Sequence, residues 1–181
     1  MAEAPLFRAM EGRDVELEWL PFELRPYPHE TLSPHSDYIQ KAWHNNVLPL
    51  AERLNVTMKL NMTDPQPHTH LAHEGLLFAK ERDNGKANDY ADRVFRAFYE
   101  GGEDIGDSEV LRKHAEAAGF DGEDFSKALA ERTYSQARQA SIRRAHQEGI
   151  QAVPTFIIGE KRMTGLQPEE AYAEALDEEG A

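Results

Sequence analysis

Three histidines stand close together in the run His68-Thr69-His70-Leu71-Ala72-His73, and a His-x-His spacing with a third histidine nearby can hold a metal ion where strand and helix geometry converge. His68 and His70 fall in a proline-rich stretch, and no second ligand cluster has the spacing of a known zinc site, so no metal is assigned. Glu103, Asp104, Asp107 and Glu109 crowd behind Gly101-Gly102, but the spacing does not fit an EF-hand. Carboxylates at a helix start, where they are electrostatically favoured, account for them better. His114 falls on the apolar side of a helical stretch and is expected to pack rather than to act as acid or base. There is no G-x-S-x-G elbow and no glycine-rich phosphate loop. The 181 residues contain no cysteine, which removes disulfide staples, zinc-thiolate sites and a thiol nucleophile at once.

The elements that would position any such chemistry belong to a globular chain. Hydrophobic residues make up 40% and charged residues 29%, and no apolar run approaches the roughly 20 residues a bilayer span needs. The length suits one compact unit, either a sizeable domain or a small domain with a large insertion. A formal net charge of -13 makes phosphate backbones and anionic membranes poor partners, so neither nucleic acid nor membrane is expected. The first residues carry no basic stretch followed by an apolar core, and the expected compartment is the cytoplasm.

Val15, Leu17 and Trp19 alternate with Glu16 and Glu18, the pattern of a strand with one buried face. Four prolines from Pro21 to Pro34 then impose an extended connection. Helical spacing follows from Asp37, with Pro49 opening a new helix, a proline-rich break at Thr63 to His70, and Ala72, Leu76 and Ala79 on one stripe. Asn84-Gly85 suggests a stop. A broad apolar face from Ala87 to Phe98 is closed by Gly101-Gly102, and Asp107 can cap a helix running to Gly119. Shorter and longer helices follow around Phe125 and from Tyr134 to Glu148. After Gly149 the character switches to the apolar, β-branched run Ile150 to Ile158, a turn at Gly159-Glu160 and a second strand. Pro168 suits the first position of a last helix, where its missing N–H costs nothing.

Gly149-Ile150, Val153-Pro154-Thr155-Phe156, the hairpin and Gly165-Leu166-Gln167-Pro168 together resemble the C-terminal signature of DsbA-family thioredoxin-like proteins, most closely the FrnE-like subgroup. Trp19-Leu20-Pro21-Phe22-Glu23-Leu24-Arg25-Pro26 is similar to the family's second strand and the segment after it. Ala72-His73 through Phe98-Tyr99-Glu100-Gly101-Gly102-Glu103-Asp104-Ile105 is similar to its helical insertion. The resemblance implies an α/β thioredoxin-like (DsbA type) fold with a large all-helical insertion. Residues 1–35 and 149–181 would form the thioredoxin-like part, with 36–148 as the insertion. It also implies a cis Val153-Pro154 bond that leaves Val153, Pro154 and Thr155 to bind substrate.

The departure concerns the family's opening strand and Cys-x-x-Cys, about 25 to 30 residues judged from ordinary element lengths, of which only the helix tail near Pro5 to Glu11 has a counterpart. That strand would sit centrally in the sheet, between the Val15 to Leu20 segment and the hairpin. Without it two strand edges are exposed, which invites an extended polypeptide or a second copy of the chain. The expected function is therefore that of a disulfide oxidoreductase relative without redox activity in this sequence, with no catalytic residue and no cofactor assigned. A peptide-binding module or a strand-complemented homodimer is the alternative. Glutathione-dependent isomerases and kappa-class transferases, which use serine at the same helix start, are the remotest, because no serine precedes Ser33.

Overall fold

Side-chain caps set where four of the helices begin. The computed structural model describes residues 1–180. Nine α-helices run through these residues in the order α1 (Glu3–Met10), α2 (Asp37–Ala42), α3 (Leu48–Arg53), α4 (His70–Arg82), α5 (Asn84–Arg96), α6 (Ser108–Ala117), α7 (Gly122–Ala130), α8 (Ser135–Gln147) and α9 (Glu169–Glu178). A hairpin of β1 (Thr155–Ile158) and β2 (Lys161–Thr164) precedes α9, and π-helical turns at Trp43–Val47 and Ala97–Gly101 follow α2 and α5. Ser36, Asp83, Asp107 and Asp121 each accept a backbone N–H from the first turn of α2, α5, α6 and α7, satisfying a donor that a helix start leaves unpaired. No helix among the described residues is long and apolar enough to cross a membrane.

Two expected boundaries are corrected. Asp83 takes an extended φ of -163°, ends α4 and caps α5, so Asn84-Gly85 form the first turn of the next helix rather than a stop. Pro168, with ψ at 156°, lies one step outside α9 as its N-cap, where a missing N–H is equally harmless.

The larger core belongs to the helices between α4 and α8. Phe78, Tyr90, Leu111, Phe125 and Leu129 are buried together, with Phe78 and Phe125 in edge contact at 5.2 Å between ring centres. Gly75 on α4 makes this packing possible. A Cβ there would land on the Tyr90 hydroxyl and the Phe125 ring. The smaller core lies between α1 and α9, where Leu6, Ala9, Tyr172 and Leu176 are buried and Phe156 meets Tyr172 at 4.9 Å. The hairpin covers this core through Phe156, Ile158 and Met163. Its register pairs Thr155 with Thr164 and Ile158 with Lys161, leaving Gly159-Glu160 as a two-residue turn with Gly159 at φ 55°.

The segment from Val15 to Leu20 is not a strand, contrary to its pattern. Exposure alternates along it as expected, and Val15 and Leu17 pack on the smaller core, yet the sheet contains β1 and β2 only. A strand needs a ladder partner as well as an apolar face, and here the backbone is held by side chains instead.

Candidate functional site

The geometry of the hairpin follows from one hydrogen bond. Gly165 N donates to Pro154 O at 2.8 Å, so the Pro154 carbonyl points toward β2. Backbone groups of a strand alternate sideways, and Phe156 and Ile158 therefore share that direction, while Thr155 and Ile157 present theirs to the opposite edge. That edge is unpaired among the described residues. Val153 is 46% exposed and Ile157 50%, so the edge has apolar side chains beside its free N–H and C=O groups. The Val153-Pro154 peptide bond is cis. Thr155 donates its hydroxyl to Ala152 O at 2.8 Å, which ties the strand start to the preceding turn. Of the three residues expected to bind substrate, Val153 and Thr155 flank the start of this edge, while the Pro154 carbonyl is already taken by Gly165 on the β2 side.

The Val15 to Leu20 segment shows a second free edge. Leu17 O accepts from Asn84 Nδ2 at 3.2 Å and Asn88 Nδ2 at 3.0 Å, and Trp19 O accepts from Lys80 Nζ at 3.0 Å. The side of this backbone that faces α4 and α5 is therefore closed by side-chain caps. The main-chain groups of Glu16, Glu18 and Leu20 point the other way, and no backbone–backbone hydrogen bond reaches residues 15–20 among those described. Two extended segments rest side chains on the same small core, each with one open edge.

A buried ion network ties this layer to the helices, and nothing in the spacing of its members announced it. Glu74 on α4 is fully buried and accepts two bonds from Arg132, at 2.9 and 2.8 Å, and one from Arg138 on α8 at 3.1 Å. Arg138 also bonds Glu23, itself buried, in the proline-rich connection. Burial raises the Glu74 carboxyl, but the Arg132 hydrogen bond and the two guanidinium charges outweigh it and hold the group below its ordinary value. Arg132 adopts a left-handed φ of 54°, an unfavourable conformation for a non-glycine residue, and its fork on Glu74 secures it. The available signal was Glu74 itself, a charge flanked by the buried Ala72, Gly75 and Leu76. Arg138 lies in a largely polar helix that gives no hint of burial.

The histidines separate into different surroundings. His68 and His70 stack around Tyr27, with ring centres 5.3 and 4.6 Å from it, and form an aromatic cluster. His73 on α4 is half-buried, and desolvation and the Arg138 charge, against a Phe22 backbone contact, push it down to about 4. Among the described residues no group of three or more histidine or carboxylate side chains is arranged to hold a metal. His114 does more than pack. It meets Glu103 at 3.3 Å while remaining mostly buried.

A family model for the DSBA-like thioredoxin domain matches residues 2–177. The chain belongs to the DsbA-like thioredoxin family. The Bacillus subtilis protein YwbO is 40% identical over 181 residues, spanning 99% of this chain and 90% of that protein. Among solved structures, a probable DsbA oxidoreductase of Streptomyces coelicolor superposes with a TM-score of 0.81 at 25% identity, covering 98% of this chain and 82% of its own. Membership of the DsbA-like family gives the hairpin, α9 and the inserted helices one fold, and it supports a function related to disulfide oxidoreductases.

Proposed function

We propose that this chain is the polypeptide-binding frame of an FrnE-like member of the family, gripping extended segments at Val153-Pro154-Thr155 without exchanging disulfides itself. The observation that carries this reading is the outward edge of β1. Main-chain pairing at such an edge gives affinity with little sequence preference, and the exposed Val153 and Ile157 add apolar contact. Thiol exchange needs a thiolate nucleophile, and these 181 residues hold none. Family membership supports reading this frame as the client-holding surface of a disulfide oxidoreductase relative. Binding of a reduced, carboxymethylated polypeptide tests the grip. Pro154→Ala is expected to weaken it at least about tenfold, a loss of about 1.4 kcal/mol. Undiminished binding in that variant would overturn the assignment.

The pair of open edges favours one further reading, a homodimer in which each copy lends an edge to the other. Light scattering at micromolar concentration decides it. A mass near twice 20.5 kDa is expected for the dimer, and a monodisperse monomer excludes it.

A further inference from the structure

A cavity of about 180 Å³ opens between α4, α5, the π-helical turn after α5 and the Trp19-Leu20 segment. It opens to solvent beside Leu20 and Phe95, which are 58% and 39% exposed, so it is a cleft that a ligand can enter rather than a sealed void. Its walls are mainly apolar, with aromatic rings at one side. Trp19 and Phe95 meet edge-on at 5.4 Å between ring centres, and Phe98 and Tyr99 contribute from the π-helical turn. Ala72 and Ala91 leave the room. No Asp, Glu, Lys or Arg lines the cavity. An ion placed there would lose its hydration without gaining a counter-charge, so the walls select against charge.

The polar groups of the wall are uncharged as well. Burial keeps His73 neutral above about pH 4, and it raises the Tyr90 and Tyr99 hydroxyls, which stay protonated. The backbone contact with Phe22 engages the imidazole donor, which leaves the other ring nitrogen as an acceptor. The wall is also held in place before any ligand arrives. Lys59 N donates to Tyr99 O at 2.6 Å, and the buried Asn61 donates its side-chain amide to Phe98 O at 3.2 Å, so the strap at residues 59–61 anchors the π-helical turn. Single π-turns inside helices are rare and recur at functional sites.

We propose that this cavity binds one uncharged monocyclic aromatic group, its ring against Trp19, Phe95 and Phe98 and its small polar substituent served by His73. The size fits: an apolar cavity of about 150 Å³ engineered into another protein admits benzene. The ring belongs either to a free compound such as a phenol or to an aromatic side chain of a bound polypeptide. The cavity shares no lining residue with the β1 edge, so its failure and that of the polypeptide grip are separable.

Calorimetric titration of the whole protein with phenol tests the proposal. Saturable one-site binding is expected, weakened at least about tenfold in Ala91→Leu, which fills the space, and unchanged in Pro154→Ala. Benzoate has the same ring with a charge, and it is expected to bind the unmodified protein at least about tenfold more weakly than phenol. This arm decides the matter even if Ala91→Leu fails to fold. Displacement of phenol by an unfolded peptide carrying one phenylalanine, and not by its alanine counterpart, identifies a side chain as the natural source, and no displacement identifies a free compound. Absence of saturation up to the solubility limit of phenol, or benzoate binding as well as phenol, would overturn the proposal.

Discussion

The two cores of this molecule solve the same problem with different degrees of closure. The larger, around Phe78, Tyr90 and Phe125, is wrapped by helices whose backbone groups bond within themselves, so its stability depends only on how well its side chains fit. The smaller, between α1 and α9, is roofed by a hairpin and an extended segment whose backbones need neighbours, and each keeps an open edge. A helical region can finish itself, whereas a sheet layer is finished only by another strand. The polypeptide grip proposed above is placed on the unfinished layer, with the finished one as the rigid support behind it.

The most severe way to break this division is to attack the closed core. Phe125→Ala removes a fully buried ring that contacts both Phe78 and Tyr90, and it is expected to cost about 3 to 5 kcal/mol in urea-induced unfolding. The ion network comes next. Glu74→Gln leaves Arg138, which is 4% exposed, with only Glu23 as counter-charge, and about 3 kcal/mol is expected to be lost. Acid probes the same seam without mutation. His73 titrates near 4 when folded against 6.5 when unfolded, so the unfolded chain takes up the proton first. The stability this provides is complete above pH 6.5 and drains away toward pH 4, by about 3 kcal/mol. His70, lowered chiefly by desolvation and then by the Arg132 and Arg138 charges, adds in the same direction. Glu74 itself, held below the ordinary carboxylate range, gives up its contribution only at still lower pH. Unfolding midpoints measured from pH 7.5 to 4.5 are expected to fall steeply, and His73→Leu is expected to flatten that slope. A slope unchanged in the variant would place the acid sensitivity elsewhere.

Most of the closed region was legible in the sequence because helices announce themselves locally. Asp107 before α6, the stripe of Ala72, Leu76 and Ala79, and the apolar face from Ala87 through Val94 carry period and caps within one segment. The hairpin was legible for the same reason, since its turn and both strands lie within ten residues. Val15 to Leu20 misled because alternation reports only a buried face, and pairing depends on a partner that the segment cannot specify. The network of Glu23, Glu74, Arg132 and Arg138 joins residues up to 115 positions apart, and no local pattern encodes such a meeting. Val153, Pro154 and Thr155 were singled out through resemblance alone, and the structure adds that the Pro154 carbonyl faces β2.

The mildest change gives the sharpest test of the difference between the regions. Asn84 and Asn88 reach from α5, a helix of the closed region, to the Leu17 carbonyl of the open one. Each hydrogen bond is worth about 1 kcal/mol, and the carbonyl is close enough to solvent for water to replace a lost donor. Asn84→Ala with Asn88→Ala is therefore expected to lower global stability by no more than about 2 kcal/mol. The local effect is expected to be larger in kind. With its carbonyl released, the segment from Val15 to Leu20 loses the device that stands in for a strand partner, and its amides should exchange faster while those of α4 and α7 keep their protection. Uniform acceleration across both regions would mean that the two layers unfold as one, and the division between a closed and an open core would fail.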